Sequence, residues 1–269
     1  MTIINRIKYN LLKTSLAIPL KNIQARIQYI RIISFKSDIN RKTVYCISPY
    51  KTGTTYLAKS FSPKISKHEP LHLASLKCLS NNFDSFFKRR MQYLNLKLEC
   101  SGFWSAYINE LIENEDARDL EYICILRNPS SWVSSVINYW NVRIKMEEYK
   151  YPIGNDFFWK MKVGVNLYEF EIGNNTNKNQ EIIDKLIQFY MNFTKKTRLL
   201  KNLTYVKLEE IDKKLPYIET LLNEPQTPST QKRFMRKGKH KPFIYNNQSI
   251  DLEYELLTAK LIKERELLS

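Results

Sequence analysis

Two continuous apolar runs constrain the fold more than any other feature: Thr43-Val-Tyr-Cys-Ile-Ser48 and Tyr122-Ile-Cys-Ile-Leu126. Short runs without polar alternation are typical of strands covered on both faces, and such strands belong to parallel sheets. Each run gives way within a few residues to a helix signal. A turn over 49–53 precedes a helical stretch from Thr54 to Phe61. Asn128 and Pro129 supply a cap and a first-turn proline ahead of the stripe Trp132, Val133, Val136, Ile137 and Trp140.

The alternation continues along the chain. Strands are expected over 64–67, 96–100 and 203–208. Helices are expected over 5–33 with a break near Pro19, after Pro70, and over 83–94, 103–114, 180–200 and 249–268. This order predicts an α/β fold with a central parallel sheet flanked by helices, and ligands bound beyond the carboxyl ends of the strands. It also divides the chain into a basic amphipathic helical segment, 1–42, and a main domain, 43–269.

At 269 residues and 43% hydrophobic content the chain can bury a full core, and 13% aromatic residues argue against disorder. No stretch approaches the roughly 20 apolar residues of a membrane span, and the first 20 residues lack the cleavage site of a signal peptide. Cys46, Cys78, Cys100 and Cys124 have no CxxC spacing, which reads as buried thiols in a reducing, cytoplasmic setting. The net charge of +16 calls for an anionic partner. Residues 1–42 hold nine Lys or Arg against the single acid Asp38, and 231–241 (QKRFMRKGKHK) hold six against none. The second run has Gly238 at its centre and no helical period, as suits a loop folded round a ligand. The first is a candidate contact for an anionic membrane surface.

The segment Ser48-Pro-Tyr-Lys-Thr-Gly-Thr-Thr55 lies between a buried strand and a helix, where an anion finds backbone N–H groups. Gly53 permits close approach, Lys51 supplies a charge, and Thr52, Thr54 and Thr55 supply hydroxyls. The segment departs from GxxxxGK[ST]: the first glycine is absent, Thr54 stands in place of the lysine, and Lys51 precedes Gly53 by two. YKTGTTYL instead resembles the 5′-phosphosulfate loop of sulfotransferases that use 3′-phosphoadenosine 5′-phosphosulfate (PAPS). Two further segments extend the resemblance over about 43 to 242. Arg127-Asn-Pro, with Ser135 eight residues after the arginine, is similar to the family's 3′-phosphate motif. Arg236-Lys237-Gly238 is similar to its closing loop, although Lys239-His-Lys-Pro-Phe243 departs from the glycine and tryptophan usual in cytosolic members.

The resemblance implies a P-loop-like three-layer fold and PAPS as co-substrate, with no metal. It implies donor binding by Lys51, Thr52, Gly53, Thr54, Thr55, Arg127, Ser135, Arg236, Lys237 and Gly238. Glu69-Pro-Leu-His72 resembles the segment that carries a catalytic glutamate in carbohydrate sulfotransferases. Glu69 is therefore the expected base and His68 the alternative, with Lys51 assisting at the leaving oxygen. The implied acceptor is a hydroxyl on a glycan or glycolipid, not nucleic acid. Simpler readings stand beside these: Glu69-Pro70 as a helix opening, Arg127 as a salt bridge to Glu121, and Trp104, Trp140 and Trp159 as core. The rival functions are a nucleotide-dependent kinase with this strand-loop-helix, and a basic module that binds nucleic acid or a membrane surface.

Overall fold

The structure, a computed structural model, describes residues 14, 16–36, 42–144, 154–227 and 242–267. Helix α1 (Ala17–Ser34) precedes strand β1 (Val44–Cys46), and α2 (Thr54–Lys59), β2 (Ser66–His68), α3 (His72–Cys78) and α4 (Phe83–Leu94) follow. Strand β3 (Leu98–Cys100) leads through a 3-10 stretch, Gly102–Tyr107, into α5 (Ile108–Glu113) and β4 (Glu121–Leu126). Helix α6 (Pro129–Ile137) runs on as a wider π-type coil over Asn138–Ile144, and a second such coil covers Asn155–Val163. Then come α7 (Asn177–Thr197), β5 (Asn202–Lys207), α8 (Ile211–Leu222) and α9 (Gln248–Glu266).

The five strands among the described residues are all parallel, in the order β2-β3-β1-β4-β5. The chain leaves β1 toward β2 on one side and leaves β4 toward β5 on the other. The β1/β4 pair is thus the point where connections diverge and open a crevice beyond the strand ends. Side chains alternate across the sheet. Val44, Cys46, Ile123 and Ile125 pack with Leu57 of α2 and with Ile211, Leu215 and Ile218 of α8. Tyr45, Ile47, Tyr122, Cys124 and Leu126 face the larger core, with Phe87, Trp132, Val136, Leu186, Tyr190 and Tyr254. This is the expected three-layer α/β arrangement. The four cysteines are free, three of them buried. Among the described residues no helix is long and apolar enough to cross a membrane.

The local signals were followed closely at α6, where Asn128 Oδ1 accepts the Ser131 N–H at 3.1 Å and Pro129 opens the helix. Pro19 does not break α1, because it falls in the first turn, where a missing N–H costs little. Helix α8 carries Pro216 in its interior and went unread in the sequence. Its stripe Ile211, Leu215, Ile218 and Leu222 is buried on the sheet, and that burial outweighs the lost backbone bond.

The stretch 242–247 lies along a polar stripe of α6. Ser130 Oγ accepts the Asn247 N–H at 2.9 Å, and Ser134 Oγ accepts the Tyr245 N–H at 2.9 Å. Asn138 accepts the Phe243 N–H at 2.9 Å and donates to the Phe243 carbonyl at 2.7 Å. Asn138→Ala removes both bonds of that clamp and should cost about 1–3 kcal/mol of stability. Hydrogen exchange should then show the Phe243 amide losing protection while the amides of β4 keep theirs.

Candidate functional site

The loop after β1 is set by what holds its carbonyls. Thr52 Oγ1 donates to the Pro49 carbonyl at 2.7 Å, Trp132 Nε1 to that of Tyr50 at 2.7 Å, and Arg127 Nη1 to that of Lys51 at 2.6 Å. A trans peptide carries its C=O and the following N–H on opposite sides, so the N–H groups of Tyr50, Lys51 and Thr52 point away from these donors. Lys51 has φ 72° and Gly53 φ 106°, both left-handed. A side chain at Gly53 would be strained by that φ and would stand 2.7 Å from Leu208 Cδ1. The Lys51 ammonium lies 4.2 Å from the Tyr139 ring centroid. The Thr52 hydroxyl is buried inside the loop.

Strand β2 delivers His68 and Glu69 to the same edge. His68 Nε2 meets Thr55 Oγ1 at 3.0 Å and Thr54 Oγ1 at 3.3 Å. Glu69 does not open a helix. Glu69 has φ 50° and Leu71 φ 55°, and α3 begins only at His72. Two left-handed residues without glycine cost about 1–2 kcal/mol each, so this turn is held against its own preference. It places the Glu69 carboxyl between two imidazoles, 3.7 Å from His68 Nε2 and 3.7 Å from His72 Nδ1. His72 Nε2 in turn meets the buried Tyr50 hydroxyl at 2.6 Å. Gly102 makes room for Tyr50, since a Cβ there would stand 2.8 Å from the Tyr50 nitrogen.

Burial governs the protons here. It raises the Glu69 carboxyl to about 8, against the pull of the Lys51 charge and the Gly102 N–H. His68 is lowered to about 4 by burial, with Lys51 and Lys59 adding repulsion, and His72 to about 3 by burial, with His68 and Arg90 adding to it. Both histidines are thus neutral at pH 7, and Glu69 is the group poised to exchange a proton near neutrality.

Behind the turn lies a buried ion pair. Arg90 of α4 grips Glu99 of β3 in a fork, Nη1 to Oε2 at 2.6 Å and Nη2 to Oε1 at 2.9 Å, with both side chains 1% exposed. Arg90 Nη2 also donates to the Pro70 carbonyl at 2.8 Å and Nε to Ser75 Oγ at 2.7 Å. Ser101 and Trp104 donate to Glu99 Oε1 at 2.8 and 2.9 Å. The guanidinium thereby fixes the peptide between Glu69 and Leu71. An acid between Leu98 and Cys100, at the centre of a buried strand, is the sequence signal for this network, and the sequence analysis does not draw on it.

Arg127 does not reach Glu121, which sits at the opposite end of β4. Its Nε donates to Ser131 Oγ at 3.0 Å, and Tyr190 brackets its peptide, accepting from the N–H at 3.1 Å and donating to the carbonyl at 2.8 Å. Ser135, half-buried, follows Ser131 by four residues and so lies one turn on along that face of the helix. Ser131 is a further site residue, legible from that i, i+4 spacing. Trp104, Trp140 and Trp159 are all buried among core aromatics. Arg236, Lys237 and Gly238 lie outside the described residues. The chain nearest them on each side is anchored by the Thr227 N–H on the Ser60 carbonyl at 2.9 Å and by Phe243 on Asn138.

No family model, curated protein or solved structure matches the chain, so the chemistry of the site rests on its own residues.

Glu69 should leave a mark on stability without any ligand. Its folded value near 8 exceeds the ordinary 4.5, so its contribution is fully present below pH 4.5 and is lost as pH rises through about 8. Glu69→Gln is free of that loss. The stability of the variant relative to wild type should therefore climb between pH 5 and pH 8, by at most about 1.4 kcal/mol per unit. Denaturant titrations across that range check it; parallel pH profiles would mean that the carboxyl titrates normally.

Proposed function

We propose that the chain transfers a sulfuryl group from PAPS to a hydroxyl, with a glycan or glycolipid as acceptor class. One observation carries the reading: Lys51, Glu69 and Arg127 come from the ends of three different parallel strands to the edge where the sheet connections diverge. Arg127 is bonded to the Lys51 carbonyl at 2.6 Å, and the Lys51 charge is felt by the Glu69 carboxyl. Such an edge holds a cation for a leaving phosphate, a second cation for the other end of a bisphosphate, and a buried carboxyl for the acceptor proton. The likeness of YKTGTTYL, RNP and EPLH to sulfotransferase segments supports the same assignment.

In this reading Glu69 takes the proton from the acceptor hydroxyl as that oxygen attacks sulfur. The bond between sulfur and the bridging phosphate oxygen breaks, and adenosine 3′,5′-bisphosphate leaves. Lys51 offsets the charge that builds on the leaving oxygen, an effect strongest in the transition state. Arg127, with the hydroxyls of Ser131 and Ser135 on the next helix, suits the 3′-phosphate, where a guanidinium fork gives geometric specificity. Arg236, Lys237 and Gly238 are assigned to the same phosphate on the sequence likeness alone.

A kinase acting on a magnesium nucleotide is less well supported. Strand β4 is followed by Arg127 and not an acid, and the β3 carboxylate, Glu99, is enclosed by Arg90, Ser101 and Trp104.

The test is thermal stabilisation by adenosine 3′,5′-bisphosphate in the absence of Mg²⁺, followed by transfer assays with sugar and glycolipid acceptors. A ligand at about 100 times its Kd should add about 2.7 kcal/mol. Stabilisation by Mg·ATP alone would transfer the case to the kinase. Glu69→Gln should keep bisphosphate binding while turnover falls about 10²–10⁴-fold. Arg127→Ala should instead weaken donor binding first.

The pH profile separates the two candidate bases. With Glu69 as base, kcat/KM should rise with pH and level off above about 8, because only the ionised carboxyl accepts a proton. With His68, already neutral above about 4, the profile would be flat from pH 6 to 9 on its basic limb.

A further inference from the structure

Helix α1 is turned the wrong way round for an ordinary surface helix. Its inward face carries the buried Ala17, Ala25 and Ile32, with Lys21 and Gln28 half-buried between them. The outward face carries Leu16 (57% exposed), Leu20 (47%), Ile23 (57%), Ile27 (45%) and Ile30 (49%). At 100° per residue these five fall within an arc of about 80°, on the side away from the protein. The side chains at 16, 20, 23, 27 and 30 follow a 4-3-4-3 spacing and make one continuous aliphatic stripe along a helix about 27 Å long.

Charge decides what the stripe fits. Arg31 and Arg26 flank it on its two sides, and Lys36 follows the end of the helix. From Leu16 to Lys36 there is no Asp or Glu. A second copy of the chain, docked stripe to stripe, would bring arginine against arginine with no acid to pair them, the arrangement that disfavours a coiled coil. A nucleic acid would satisfy the arginines and leave the aliphatic row in water. An anionic bilayer surface accepts both: the branched side chains enter the acyl boundary, and the guanidinium groups stay with lipid phosphates.

We propose that α1 seats the protein on an anionic lipid surface, with Leu16, Leu20, Ile23, Ile27 and Ile30 inserted and Arg26 and Arg31 on the headgroups. The seat does not depend on the sulfuryl-transfer reading. The helix is footed on the domain: Tyr29 stacks on Phe86 with ring centroids 6.0 Å apart, Arg89 donates to the Ile33 carbonyl, and α1 lies against α3 and α4.

Flotation of the full chain with vesicles tests it. Vesicles of phosphatidylcholine mixed with phosphatidylglycerol should carry the wild type upward, and phosphatidylcholine alone should carry much less. Arg26→Glu with Arg31→Glu should lower the partition coefficient about 30-fold or more, at about five-fold per cation removed from an anionic surface. Ile23→Ser with Ile27→Ser should lower it about 100-fold. All four side chains are exposed, so both variants should melt with the wild type, and either alone tests the seat. The proposal is overturned if the wild type does not float. It is equally overturned if Ile23→Ser with Ile27→Ser floats as well as wild type, which would assign binding to charge elsewhere. A lipid-free dimer that this variant turns into a monomer would give the stripe to a second copy.

Discussion

The buried fork between Arg90 and Glu99 is the interaction on which the site depends. An ion pair out of water does not stabilise a fold by itself, because the desolvation of two charges offsets most of their attraction. It does impose geometry, since every remaining donor and acceptor must be met. Arg90 meets Ser75 and the Pro70 carbonyl, and Glu99 meets Ser101 and Trp104, so one pair ties α3, α4, β3, the 3-10 stretch and the Glu69–Leu71 turn together. Two left-handed non-glycine residues persist in that turn because the network over-determines their positions.

The same logic explains why the carboxyl and the cations meet where they do. Parallel strands deliver their ends to one edge, and the divergence of connections at β1 and β4 opens a crevice there. Arg127 spans the divergence by bonding back to the Lys51 carbonyl, which couples the shape of the loop to the end of β4. A side chain assigned to a phosphate thus also shapes the loop. Tyr190 and Tyr254, with hydroxyls 3.2 Å apart, back this strand end from the core side.

Much of this was legible in the sequence. The apolar runs at Thr43–Ser48 and Tyr122–Leu126 specify buried parallel strands, and Asn128-Pro129 fixes where α6 starts, because those signals are local. Helix α8 was hidden by Pro216, whose cost is outweighed by contacts with a sheet far away in sequence. The simpler alternative for Glu69-Pro70, a helix opening, fails because the turn's left-handed backbone is held by Arg90, 20 residues beyond Pro70. The role of Lys51 and Glu69 as neighbours was legible only through the likeness of their segments to a known family. Periodicity carries no information on which strand ends lie side by side.

Helix α1 links the surface of the molecule to this site. It rests on α3, whose first residue is His72, and on α4, which carries Arg90. The two helices on which α1 rests are thus the ones that carry His72 and Arg90, which hold the Glu69 turn. Arg90 belongs to the helix under α1 and bonds to the turn directly, through the Pro70 carbonyl. The turn that carries Glu69 is therefore tied to α1 through α3 and α4. The helix of the aliphatic stripe and the buried ion pair, far apart in sequence, thus meet at α4.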